Sequence, residues 1–245
     1  MSLAFSDTTN KDGIIQIIEQ ACGFNDGDIS GNAERLALFT ARVNNAQGKV
    51  MDVIFNSDGS FQWDDSNHTD YPILTANIVS GQRDYSFTED DDGNQIITIH
   101  KVMIADESGT FHDIYPIDQQ QAPVNGLTDG LNTQGLPYRY DKTGNGIFLD
   151  PIPNYNEVGG IKIFVDREAT FFTTADTTKK PGFAGIYHEY LPLQAAYTYA
   201  RDNMLANRNE LLRDAEMMLE NLRKHYSRRE KDVEKIIRPR LNNII

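Results

Sequence analysis

The chain has 245 residues, of which 39% are apolar and 10% aromatic, and its formal net charge is −13. These proportions can form a packed core, so we do not expect a disordered protein. The acidic balance argues against nucleic-acid binding over a broad surface, because phosphate binding is driven mainly by Lys and Arg. The single cysteine, Cys22, excludes an internal disulfide framework. With no signal-peptide pattern and no apolar run of membrane-spanning length, we expect a protein used without export.

Two helices are predicted near the N-terminus. Apolar residues recur at helical spacing from Ile14 to Cys22, and Gly23 can end this helix in the left-handed conformation. A second apolar stripe runs from position 36 to position 54. It predicts a long helix whose N-cap is Gly31 or Asn32.

From position 61 the apolar period becomes that of β-strands. Seven short segments are rich in Ile, Val, Tyr and Phe and are separated by turn clusters: 73–79, 84–87, 95–105, 110–115, 138–141, 146–149 and 161–167. They predict a small antiparallel β domain. Residues 119–137 show no period and predict a long loop, which in a compact protein is usually functional or in contact with a neighbour.

Helical spacing returns from Ile186 to Met204 and from Leu211 to Tyr226. Each helix pair has a single apolar stripe, so the simplest burial packs the N-terminal and C-terminal pairs together. We therefore predict an α+β fold: a four-helix bundle with an inserted antiparallel β domain and an extended C-terminal arm. The predicted units are residues 1–60 and 183–230 for the two halves of the bundle, 61–182 for the β domain and 231–245 for the arm.

Charge is distributed unevenly along the chain. Residues 223–245 carry eight Lys or Arg against three Asp or Glu, whereas residues 1–222 carry 15 against 33. Five aliphatic residues within positions 236–245 would each contribute roughly 1.5 to 3 kcal/mol on burial, but they have no obvious local partner. We expect this segment to dock on another protein. The predicted contact residues are Arg223, Lys224, Arg228, Arg229, Lys231, Lys235, Ile236, Ile237, Arg238, Arg240, Leu241, Ile244 and Ile245.

No linear motif indicates a catalytic, metal or cofactor site. His188-Glu189 resembles the start of a zinc-protease helix, but Pro192 occupies the position of the second His. Residues 141–146 partly resemble a calcium loop, but Ile152 stands where a bidentate carboxylate is needed, so a hairpin turn is the better interpretation. The nucleophile elbow, the phosphate-binding loop and the dinucleotide fingerprint are absent. We expect a protein that is not an enzyme and has no cofactor.

Several short motifs occur in a distinctive order. They are Phe61-Gln-Trp-Asp-Asp-Ser-Asn-His-Thr-Asp, Ile78-Val-Ser-Gly-Gln-Arg-Asp-Tyr-Ser-Phe, Tyr115-Pro-Ile-Asp, Leu136-Pro-Tyr-Arg-Tyr, Ile147-Phe-Leu-Asp-Pro-Ile-Pro, Pro181-Gly-Phe and Tyr187-His-Glu-Tyr-Leu. In order and spacing, over most of residues 11–230, this pattern resembles the head-to-tail adaptor proteins of tailed bacteriophages. These are the ring proteins that lie beneath the portal.

The resemblance implies a ring of twelve copies in the virion neck, assembled in the host cytoplasm. The ring would bind the portal protein above and a tail or nozzle protein below, with no membrane involved. DNA would pass through its channel without specific binding. In such adaptors the C-terminal segment commonly reaches the portal, which agrees with the arm inferred from charge. Acidic residues that faced the channel would repel phosphates and keep DNA moving.

Two alternatives remain open at this point. One is another ring-forming tail component, a terminator or a nozzle protein, for which loss of the arm would leave portal attachment intact. The other is a hydrolytic or carbohydrate-binding module built on the β region. That alternative requires Trp63, Tyr138 and Tyr140 to line a common groove.

Overall fold

Four helices and seven strands make up the described parts of the chain. The computed structural model describes residues 2–58, 71–117, 133–143 and 146–228. The helices are α1 (Ile14–Cys22), α2 (Ala33–Asp58), α3 (Tyr190–Asp202) and α4 (Arg208–Ser227), and a 3-10 turn (Gly185–Tyr187) precedes α3. The strands are β1 (Ile73–Ile78), β2 (Asp84–Ser86), β3 (Ile96–Ala105), β4 (Phe111–Pro116), β5 (Arg139–Thr143), β6 (Gly146–Asp150) and β7 (Glu157–Arg167).

The predicted helix signals near the N-terminus are confirmed. Gly23 follows α1 with a φ of 74°, a left-handed conformation that favours glycine. Asn32 caps α2, because its Oδ1 accepts hydrogen bonds from the backbone N–H groups of Glu34 and Arg35 at 3.1 and 3.0 Å. The backbone freedom of Gly23 therefore sets the end of α1, and the side chain of Asn32 sets the start of α2.

A buried carboxylate holds the loop between these helices. Glu19 of α1 is only 2% exposed. Its carboxylate accepts hydrogen bonds from the backbone N–H groups of Ile29, Ser30 and Gly27 at 2.8, 3.0 and 3.2 Å. Burial of a charge is costly unless hydrogen bonds satisfy it, and these three donors do so. Glu19 therefore fixes the path of the chain from α1 to α2.

The strands form one curled mixed sheet, a half-barrel, in the order β1-β7-β3-β4-β5-β6-β2. All neighbouring strands are antiparallel except β4 and β5, which are parallel. The curl brings the two ends of the sheet together, since the N–H of Val79, just after β1, donates to the hydroxyl of Tyr85 in β2 at 3.1 Å. The concave side buries aliphatic and aromatic residues from all seven strands.

A separate core lies among the helices. Here α1 packs against α3, and α2 packs against both α3 and α4. Extended segments also contribute aromatic rings: Phe5 stacks on Phe172 with ring centroids 4.8 Å apart, and Phe183 is buried beside them in the same cluster. The helices thus share their core with the N-terminal segment before α1 and with the non-helical chain between β7 and α3.

The protein is α+β, but the predicted architecture is wrong in two respects. First, α1 and α2 do not form a packed helix pair, so the helices are not a bundle of two pairs. The apolar face of α1 packs against α3 instead, and the loop that Glu19 binds leads the chain from α1 to α2. Second, the β region is a seven-stranded mixed sheet and not a small antiparallel insertion. The long connection from β4 to β5 allows the parallel pairing that a hairpin cannot make.

Replacement of the buried Glu19 carboxylate is expected to destabilise the fold. Glu19→Gln keeps the shape but loses the charge and places an NH₂ group among N–H donors. We expect a loss of about 2 kcal/mol in the free energy of unfolding, measured by urea denaturation. Glu216→Gln, at an exposed position of α4, is the control and should change stability by less than about 0.5 kcal/mol. Equal effects of the two substitutions would contradict this account of Glu19.

Candidate functional site

The C-terminal end of α4 carries the predicted contact residues that the structure describes. Arg223, Lys224 and Arg228 are all exposed there. The other predicted contact residues lie outside the described residues: Arg229, Lys231, Lys235, Ile236, Ile237, Arg238, Arg240, Leu241, Ile244 and Ile245. The structure therefore describes the base of the predicted docking segment.

This end of the helix is anchored by two residues of its buried face. Leu222 is fully buried and Tyr226, four positions later on the same face, is 4% exposed. Both belong to the helical core. The Tyr226 hydroxyl also accepts a hydrogen bond from the backbone N–H of Ala184 at 3.1 Å. The last turns of α4 are thus fixed to the body while their cationic side chains face solvent.

His188 joins the N-terminal segment to the same region. Its Nδ1 accepts a hydrogen bond from the N–H of Leu3 at 3.1 Å, and its Nε2 lies 2.8 Å from the carbonyl oxygen of Phe183. This pairing assigns the proton of the neutral ring to Nε2, which donates to Phe183. Burial lowers the pKa of His188 from its ordinary value of 6.5, with the two hydrogen bonds opposing part of that effect. Both ring nitrogens of this residue are engaged within the protein.

A cleft of about 550 Å³ opens beside this anchor. It is lined by Tyr187, Asn221, Lys224, His225 and Arg228. The rings of Tyr187 and His225 are tilted against each other with centroids 5.4 Å apart. Three of the five lining side chains are basic, and all five offer hydrogen-bond donors. The cleft is thus suited to an anionic or acceptor-rich group.

Little within the described residues neutralises these basic groups. Lys224 lies 3.5 Å from Glu220, one turn earlier on α4, but both side chains are more than half exposed. Such a surface pair contributes little in water. Within residues 2–58, 71–117, 133–143 and 146–228, the guanidinium of Arg228 makes no ion pair or hydrogen bond. No described residue therefore engages the donors of this guanidinium.

Of the five lining residues, the sequence predicts only Lys224 and Arg228 as contact residues. Charge asymmetry identified the basic residues of α4, whereas Tyr187, Asn221 and His225 belong to no charged pattern. Tyr187 lies in the 3-10 turn before α3, far from α4 in the sequence. No local period could show that this turn packs against the end of α4.

Two other candidates from the sequence, Cys22 and the calcium-like residues 141–146, have structural explanations. The Cys22 thiol is half-buried, and burial raises its pKa to about 12, so it is a poor nucleophile at neutral pH. The strands on either side of the predicted hairpin turn, β5 up to Thr143 and β6 from Gly146, pair antiparallel, whereas residues 144 and 145 lie outside the described residues. Among the residues that the structure describes, no group of three or more His, Cys, Asp or Glu could hold a metal ion. No helix in those parts of the chain is long and apolar enough to cross a membrane.

Only one of the two described tyrosines proposed for a carbohydrate groove is exposed. Tyr138 is 57% exposed, whereas Tyr140 is 2% exposed and lies in the core of the sheet. Tyr138 precedes β5 and faces solvent, whereas the ring of Tyr140 is enclosed by the sheet core and cannot line an open groove. Trp63, the third aromatic of that prediction, lies outside the described residues. The described residues thus do not form the groove that this alternative needs.

No protein-family model matches this chain, and no curated protein matches it. The resemblance to phage adaptors rests on the order of the sequence motifs and stays a prediction.

Removal of the Tyr226 hydroxyl should loosen the end of α4. Tyr226→Phe leaves the Ala184 N–H without that acceptor, so we expect a loss of about 1 kcal/mol in stability. Hydrogen exchange of the Ala184 amide should accelerate in the same variant. Tyr197→Phe is the control, since this half-buried hydroxyl has no hydrogen bond to any described residue. Unchanged exchange at Ala184 in Tyr226→Phe would show that the bond does not hold this region.

Acidification should destabilise the protein through His188. Because burial lowers the pKa of His188, the unfolded chain takes up a proton before the folded chain does. The stabilising effect of the neutral ring is present above about pH 6.5 and is lost as the pH falls towards the lower folded-state pKa. We expect Tm to fall from about pH 7 to about pH 5 more steeply in the natural protein than in His188→Gln. Parallel Tm profiles would rule out His188 as the cause.

Proposed function

We propose that this chain is the head-to-tail adaptor of a tailed bacteriophage. In this proposal it is a non-enzymatic virion protein that forms a ring beneath the portal. The observation that carries the proposal is the way the C-terminal end of α4 is anchored on one face and basic on the other. Leu222 and Tyr226 hold the helix to the body there, while Arg223, Lys224 and Arg228 face solvent. A basic docking segment with a fixed base is what attachment to a neighbouring ring requires.

The charge and apolar content of residues 223–245 support docking on an acidic protein. This segment has a net charge near +5, from eight basic and three acidic residues, on a body near −18, from 15 basic and 33 acidic residues. Basic side chains would steer the segment to an acidic surface of the portal, and its aliphatic residues would supply most of the affinity. Twelve such segments acting together would bind far more tightly than one.

The remaining partners follow from the adaptor role. We propose that a tail or nozzle protein binds the opposite side of the ring and that copies of the chain bind one another, twelve to a ring. DNA would pass through the channel without specific binding, which suits a chain with a net charge of −13. The location of the protein in this proposal is the neck of the virion.

The docking segment can be tested in the full chain. We would replace the five aliphatic residues of its last ten positions with serine: Ile236, Ile237, Leu241, Ile244 and Ile245. Because burial of each is worth roughly 1.5 to 3 kcal/mol, binding to the portal of the same phage should weaken by at least about a hundred-fold. Co-sedimentation at moderate salt and native mass spectrometry would measure portal binding and the number of subunits in the ring.

The control replaces two exposed methionines of the body, Met204→Ser and Met217→Ser, and should bind the portal normally. Portal binding that survives loss of the five aliphatic residues would refute attachment through this segment. A ring that then bound tail proteins and not the portal would identify a terminator or nozzle component.

A further inference from the structure

We infer that the cleft at the end of α4 is a preformed socket for a carboxylate side chain of an acidic protein segment. This inference rests on the proposed function only for the source of that segment, an acidic surface of the portal. The socket itself consists of residues of the folded body: Tyr187, Asn221, Lys224, His225 and Arg228. It is therefore a second contact, separate from the docking residues beyond position 228.

The chemistry of the lining matches a carboxylate. Arg228 presents a planar fork of donors that can bind both carboxylate oxygens, and Lys224 adds a second positive charge. Asn221 can donate through its amide, Tyr187 through its hydroxyl and His225 through a ring N–H. The nearby Glu220 is turned to Lys224 at 3.5 Å, so it satisfies only part of this donor set. A ligand with two acceptor oxygens can use the remainder.

The socket is held in place before any ligand arrives. On one side, α4 is anchored through Leu222 and Tyr226. On the other side, the N–H of Tyr187 donates to the carbonyl oxygen of Ala184 at 3.0 Å. The N–H of Ala184 in turn donates to the hydroxyl of Tyr226. Both walls are thus fixed to one short stretch of backbone. Fixed walls reduce the entropy lost when a ligand binds.

Size and charge favour a protein carboxylate over nucleic acid. A volume of about 550 Å³ accommodates one or two side chains. The ring of Tyr187 gives an apolar surface on which the CH₂ groups of a glutamate can lie. A nucleic acid would bring many phosphates close to a chain with a net charge of −13, so long-range repulsion would oppose it.

A site-specific measurement can test the socket in the full chain without any portal. We would titrate the protein with the blocked peptide acetyl-Gly-Glu-Gly-Gly-amide and follow the NMR signals of the Asn221 amide and the His225 ring. The matched control peptide has Gln in place of Glu. We expect saturable shifts at both residues with the Glu peptide and none with the Gln peptide, because the carboxylate is the recognised group.

Two variants with the same substitution separate the socket from general charge. Arg228→Gln removes the forked donor and should weaken Glu-peptide binding by about ten-fold. Arg213→Gln removes an exposed arginine elsewhere on α4, 3.4 Å from Asp214, and should leave the affinity within about two-fold.

Three results would overturn the inference. The first is equal shifts with the Glu and Gln peptides, and the second is a Glu-peptide response confined to residues beyond 228. The third is tighter binding of an oligothymidylate of equal charge at Asn221 and His225, which would assign the cleft to nucleic acid. Since these titrations contain no portal, their failure leaves docking by residues 229–245 intact. Failure of portal docking would likewise leave the socket intact.

Discussion

The structure around the candidate site depends on the hydrogen bond between the Tyr226 hydroxyl and the backbone N–H of Ala184, at 3.1 Å. Four residues further along the chain, His188 bonds the carbonyl oxygen of Phe183 and the N–H of Leu3. The N-terminal segment, the turn before α3 and the end of α4 are thus tied together at one point. Each bond is worth only about 1 kcal/mol, but together they determine where the charged end of α4 lies.

Burial makes these modest bonds decisive. Tyr226, His188 and Leu222 are all nearly or fully buried, so an unmade bond here would leave a polar group without water as a substitute partner. The aromatic rings of Phe183 and His188, whose centroids are 5.0 Å apart, close the same region. A rigid base of this kind lets basic side chains project outward in a defined direction. Since the rest of the body has an excess of acidic residues, this local basic surface would orient an acidic partner towards the end of α4.

Much of the secondary structure could be predicted because its causes are local. The glycine after α1, the asparagine cap of α2 and the alternation of apolar residues in β7 each act within a few residues. The arrangement of these elements could not be predicted in the same way. The parallel pairing of β4 with β5 joins segments separated by a long connection. The hydrogen bonds that Glu19 accepts from the loop at positions 27–30 also arise only when the chain folds back on α1.

Residue types alone predict the charge and apolar content of this region: a basic, aliphatic segment on an acidic chain, with Lys224 and Arg228 within it. Tertiary packing brings these two residues into one cleft with Tyr187, Asn221 and His225. The net charge of a segment can be counted from its residue types, whereas a cleft forms only when segments distant in the sequence pack against each other. That relation exists because the buried face of α4 packs on the turn before α3 and directs its opposite face to solvent.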